Sequence, residues 1–155
     1  MPGRIDARLA ELGMTLPTPA TPLANYVPYV VTGDLVFISG QLPLREGKLA
    51  AIGKIGAGVS VDAGMAAARI CFLNLLAQLK AATAGDLDRV RQVVRLGGFI
   101  AAGADFTGHA QVMNGASDCA VAVFGDAGRH VRTTVGVPSL PLDAAVEVEG
   151  LFRIA

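Results

Sequence analysis

The stretch His130-Val131-Arg132-Thr133-Thr134-Val135-Gly136-Val137-Pro138-Ser139-Leu140-Pro141-Leu142-Asp143-Ala144-Ala145-Val146-Glu147-Val148-Glu149-Gly150 decides how this chain is read. Two valine-rich segments flank a loop punctuated by Pro138 and Pro141, a pattern that predicts two β-strands joined by a connector. A charged side chain on a strand that otherwise buries its residues has to be paired, exposed or used. Arg132 on the first strand and Glu147 and Glu149 on the second therefore mark a candidate site for a small anion.

If residue 137 pairs with 145 in a regular hairpin, Arg132 lies opposite Gly150. Glu147 then lies opposite Val135 on the other face, because strand side chains alternate. The two charged groups cannot meet within one flat sheet. Either a bulge shifts the register, or two copies of the chain supply them to one site.

Working outward, residues 109–124 carry a helical pattern closed by Gly125, and residues 90–101 read as a strand. Residues 60–82 form the longest helical pattern, with Ser60 as N-cap and an apolar stripe through Cys71, Leu75 and Leu79. Arg69, Asn74, Gln78 and Lys80 are its polar positions. Tyr26–Thr32 and Leu35–Gln41 flank Gly33-Asp34 and predict a two-residue hairpin, with a further short strand near Lys54-Ile55. Residues 4–12 place Ile5, Leu9 and Leu12 on one face of a short helix, and the prolines of 17–22 impose an extended connector. The order is strand pair, helix, strand, helix, strand pair. It predicts an α+β domain over residues 1–155 with helices on one face of a mixed sheet, residues 1–22 being an N-terminal helix and connector.

The chain has 155 residues, 13 Lys+Arg against 13 Asp+Glu, and 52% apolar residues. Zero net charge points away from nucleic acid, which phosphate-binding proteins meet with a basic excess. The apolar residues are interspersed with Gly, Asp and Arg, so no membrane span is expected, and the N-terminus lacks a signal-peptide core. Cys71 and Cys119 sit within helical patterns, without a His or second Cys at ligand spacing. They read as buried thiols of a reducing, cytoplasmic compartment rather than as metal ligands.

Tyr26, the run Phe37-Ile38-Ser39-Gly40-Gln41-Leu42-Pro43, and Arg132 through Leu140-Pro141 to Val146-Glu147-Val148-Glu149 resemble the Rid/YjgF family of enamine/imine deaminases, also labelled endoribonuclease L-PSP. The resemblance implies a chorismate-mutase-like fold in a homotrimer, with sites in the clefts between subunits and no metal or organic cofactor. It implies a small carboxylate-bearing substrate, a 2-enamino or 2-imino acid hydrolysed to a 2-oxo acid and ammonia, as by a 2-iminobutanoate/2-iminopropanoate deaminase. Two readings stand beside this one: a non-catalytic anion-binding regulatory trimer, and a nuclease for single-stranded RNA. Thr134 stands where many deaminase members carry cysteine. Asn114 is the candidate for the family's site asparagine, although residues 105–114 differ in length from better-studied members.

The chemistry follows from the residues themselves. A guanidinium fork fits a carboxylate bidentately, so Arg132 suits an amino-acid-derived anion. Hydrolysing an imine needs a positioned water and a group that moves its protons, which a partly buried Glu147 supplies. Ser39 and the Gly40 backbone can approach a ligand closely. Tyr26 can wall the pocket or donate its hydroxyl.

Overall fold

The computed structural model describes residues 1–22 and 24–155. Its centre is a five-stranded sheet of β1 (Tyr29–Thr32), β2 (Leu35–Gln41), β7 (Val90–Ala101), β8 (Val131–Val137) and β9 (Val146–Ile154), in the order β1-β2-β9-β7-β8. β8 runs parallel to β7, and the other neighbours are antiparallel. Two small ribbons, β3 (Leu44–Arg45) with β4 (Lys48–Leu49) and β5 (Lys54–Ile55) with β6 (Gly58–Val59), occupy the loop after β2. Helices α2 (Val61–Ala82) and α3 (His109–Phe124) cover one face, and α1 (Arg4–Glu11) packs at their end. This is the mixed α+β architecture the element order implied.

Alternation along β9 builds the core. Val146, Val148, Phe152 and Ile154 are buried toward the helices, where they meet Phe72, Leu75, Leu76 and Leu79 of α2 and Val112, Met113 and Ala116 of α3. Glu147, Glu149, Leu151 and Arg153 alternate with them onto the open face, which no helix covers.

The last two strands do not form the expected hairpin. β9 is inserted between β2 and β7, so a whole strand separates it from β8. A parallel pair needs a crossover, and α3 between β7 and β8 supplies it. The connector 138–145 is engaged elsewhere: Gly53 N–H donates to the Asp143 carbonyl and Ala145 N–H to the Ala51 carbonyl, both across to the 51–53 loop. Leu142 (φ 59°) and Asp143 (φ 61°) adopt left-handed backbone as the chain turns there. Level positions nevertheless survive. Leu96 pairs with both Arg132 and Gly150, and Phe99 with both Val135 and Glu147, so β7 sits between residues that a hairpin would have placed in contact.

Three local expectations also change. β1 begins at Tyr29, not Tyr26, because Pro28 interrupts the ladder; the Pro28 carbonyl still accepts from Ser39 N–H at 2.9 Å. Asn74 and Gln78 of α2 are buried rather than solvated. The Asn74 amide donates to the Leu42 and Leu44 carbonyls, and the Gln78 amide to the Ala20 carbonyl, so they fasten the connector and the 42–45 loop to the helix. Finally, α2 is long and apolar enough by length and composition to span a membrane, against the sequence expectation, yet it packs here as the core helix under the sheet.

Other expectations hold at the level of single atoms. Ser60 caps α2 by accepting from Ala63 N–H at 3.1 Å, and Gly125 (φ 62°) closes α3. Ile5 and Leu9 are the buried stripe of α1. The cap of α1 comes from far away in sequence: the Asp88 carboxylate accepts from Arg4 N–H and Ile5 N–H, each at 2.8 Å. Those two bonds lower its pKa.

Candidate functional site

The sequence candidates separate into two groups on opposite faces of the sheet. Arg132 and Thr134 point from the edge strand β8 toward α3. Arg132 is level with buried Leu96, and its Nη1 donates to Ser117 Oγ at 3.0 Å and its Nη2 to the Ala110 carbonyl at 3.2 Å. Asn114 lies between Ala110 and Ser117 on the same side of α3 by helical spacing. Thr134 is two residues along the strand, and its Oγ1 is buried without a hydrogen-bond partner among the described residues.

Glu147, Ser39 and Gly40 form the second group, at an irregularity in β2. Ile38 pairs with Gly150 but Gln41 with Val148, so β2 spends one more residue than β9 over this interval. The bulge is held from the far side, where Ser39 Oγ donates to the Val27 carbonyl at 3.0 Å. It brings Gly40 onto Glu147 so closely that a Cβ there would overlap Oε1 and lie 2.9 Å from the carboxyl carbon. On the other neighbouring strand, a Cβ at Gly97 would stand 2.7 Å from Glu149 Oε1. Each carboxylate of β9 thus lies against a glycine of an adjacent strand.

The two carboxylates differ in electrostatic environment. Glu149 has Arg95 at 3.6 Å. Glu147 pairs with no cation among the described residues, and its pKa is raised above the usual 4.5, first by burial and then by the neighbouring negative charge of Glu149. A carboxyl group so placed takes up a proton more readily than a solvated one, as proton transfer requires.

Ser39 also lines an open cleft of about 290 Å³ with Tyr29, Phe37, Arg95, Glu149 and Leu151. Tyr26 is half exposed and lines a separate, smaller pocket with Gly40, Gln41 and Asn74, not the cleft. Within one chain Arg132 and Glu147 remain on opposite faces, and the bulge lies in β2 where it does not reunite them. Around the cleft the open face carries exposed Val30 and Phe37, and Val131 and Val135 extend it along β8.

Neither cysteine joins either group. Burial pushes the Cys71 thiol up, and burial raises Cys119 to about 11, which keeps both protonated. Among the described residues no three His, Cys, Asp or Glu side chains cluster as a metal site would require.

Sequence reasoning passed over Ser117, His130, Arg95 and Gly97. Ser117 Oγ stands 2.9 Å from His130 Nε2, and His130 Nδ1 stands 2.6 Å from the Gly128 carbonyl oxygen. No spacing rule links residues 117 and 130. They meet because the crossover lays α3 against β8.

Residues 6–153 match a family model described as "YjgF/chorismate_mutase-like, putative endoribonuclease". The chain is 46% identical over 153 residues to protein TCP17 of Trypanosoma cruzi, which covers 98% of this chain and 95% of that protein. Two crystal structures are close. The Agrobacterium tumefaciens protein Atu1372, of unknown function, shares 45% identity at a TM-score of 0.92, covering 97% of this chain and 92% of that one. A Shewanella oneidensis protein given the same endoribonuclease label shares 38% identity at a TM-score of 0.94, covering 98% and 100%.

Proposed function

The chain belongs to the YjgF/chorismate mutase-like family, and from that premise we propose that it hydrolyses short 2-enamino and 2-imino acids to 2-oxo acids and ammonia. One observation carries the reading. The Arg132 guanidinium is held only by neutral acceptors, a serine hydroxyl and a backbone carbonyl, so its charge has no carboxylate counterpart among the described residues. Two of its five donors are used, and three remain for a substrate carboxylate.

The site is completed between subunits. The open face carries exposed Val30, Phe37 and Val135, the kind of apolar surface that marks an interface. β8 leaves one edge unpaired for a neighbouring copy. In a homotrimer, Arg132 and Thr134 of one subunit face Ser39, Gly40 and Glu147 of the next, with Tyr26 and Asn114 at the margins. The unionised imine and the Glu147 carboxylate then act together. Glu147 takes a proton from water as the water oxygen bonds to C2 of the imine and passes that proton to the nitrogen, giving a neutral carbinolamine. It then takes the carbinolamine hydroxyl proton and delivers it to the amino nitrogen as the C–N bond breaks, so that ammonia leaves and the carbonyl forms. The two buried thiols suit the reducing cytoplasm as the place of action.

A second reading, an anion-binding regulatory trimer, draws on Thr134, which stands where many deaminases have cysteine. Supplying 2-aminoacrylate from a serine dehydratase and following pyruvate release decides between them. Acceleration that Arg132→Ala abolishes, in a variant that still melts cooperatively, is the expected result. Absence of acceleration over several imino acids, with 2-oxobutanoate still bound, establishes the regulatory reading instead. RNA cleavage lost on Arg132→Ala would replace both.

A further inference from the structure

The polarity of the atoms around Arg132 gives its contacts a single direction. A carbonyl oxygen only accepts, so His130 Nδ1, at 2.6 Å from the Gly128 carbonyl, carries the ring proton. In the neutral ring Nε2 then offers a lone pair, and the one proton of Ser117 Oγ is donated to it at 2.9 Å. Arginine has no acceptor, so the same serine oxygen takes the Arg132 Nη1 hydrogen at 3.0 Å. The chain of donors runs from Arg132 to Ser117 to His130 to the Gly128 carbonyl, and every member is restricted to one orientation.

This relay joins three elements, the middle of α3, the 125–128 turn and the start of β8, and Arg132 receives a second fixed acceptor from Ala110. Nothing in the reaction calls for Ser117 or His130. We propose that both are positioning residues, which hold the anchoring guanidinium in its substrate-ready orientation before the carboxylate arrives. The inference rests on the reading of Arg132 as the carboxylate anchor. An arginine free to rotate loses its rotamer freedom on binding, whereas one already fixed has lost it during folding. The relay therefore acts on substrate affinity and leaves the proton-transfer step at Glu147 alone.

The test uses the full-length protein with Ser117→Ala, His130→Phe and Ser117→Thr. Ser117→Ala and His130→Phe are each expected to raise KM for 2-aminoacrylate about tenfold, equivalent to about 1.4 kcal/mol, with kcat within about twofold of the parent. Ser117→Thr keeps the hydroxyl and is expected to restore most of the loss. Nitrogen-15 NMR of the imidazole supplies a readout that general loosening does not reproduce: the parent ring shows the Nδ1–H tautomer set by the Gly128 carbonyl with Nε2 hydrogen-bonded, and Ser117→Ala keeps that tautomer while shifting the Nε2 resonance to that of an unbonded lone pair. Parental KM in Ser117→Ala overturns the proposal, whether or not the Nε2 resonance moves. So does an equal fall in kcat, because the effect is then not on the anchor. A failure of the underlying reading looks different, since the parent protein itself would neither turn over 2-aminoacrylate nor bind 2-oxobutanoate.

Discussion

Gly40→Ala separates positioning from stability at the carboxylate. Gly40 does not have left-handed backbone, so alanine is conformationally allowed and the consequence comes from contact alone. The added methyl would overlap Glu147 Oε1 and stand 2.9 Å and 3.1 Å from the next two carbons, where ordinary contact begins at 3.4 Å. The carboxylate has to retreat by roughly 0.5–1 Å, which for a group that aims water is worth about 10- to 100-fold in kcat. The cost in stability is at the low end of overpacking, about 1 kcal/mol, because the displaced atoms end a flexible side chain. That corresponds to a fall in melting temperature of roughly 2–4 °C for a domain of this size. Gly33→Ala is the matched control: Gly33 has φ 59° with nothing near its would-be Cβ, so the variant bears backbone strain and no contact at the site. Initial rates of pyruvate formation, with thermal unfolding of both variants, are the assay. Parental kcat in Gly40→Ala refutes the placement of Glu147 as the group that handles water, and an equal loss in Gly33→Ala would assign the effect to general destabilisation.

Glu147→Gln gives a signed pH dependence. A carboxyl whose folded pKa is raised contributes stability that is fully present below the unfolded value of 4.5 and is lost as pH rises through the folded pKa. The glutamine variant is therefore expected to melt above the parent at neutral pH, with the two converging near pH 4; parallel curves would show that the burial of Glu147 is not sensed. Thr134→Val removes a buried hydroxyl that has no partner among the described residues and keeps the shape. A gain on the order of 1 kcal/mol is expected from urea titration, and a loss of similar size would reveal a bond made to a neighbouring subunit.

Much of this molecule was readable residue by residue. Ser60 caps α2, Gly125 ends α3, Gly33 turns the first hairpin, and Ile5 and Leu9 mark the buried side of α1, all through interactions spanning a few residues. The errors fall where a partner is distant. Asn74 and Gln78 look like solvent-facing residues of a helix until the connector and the 42–45 loop cover them. Asp88 caps a helix 84 residues away, which no local pattern announces.

By itself the sequence determined the α+β class, the position of each principal element, and which residues within a strand share a face, because side-chain alternation is a property of a single strand. Tertiary structure alone decided which strands are neighbours. The last two segments have the alternation of a hairpin, and nothing within them excludes one. Competition for backbone partners settles the matter: α3 carries β8 parallel to β7, the 138–145 connector bonds to the 51–53 loop, and β9 closes the gap between β2 and β7. In that gap Gly40 and Gly97 lie against its two carboxylates, close contacts that residues with a Cβ would not permit.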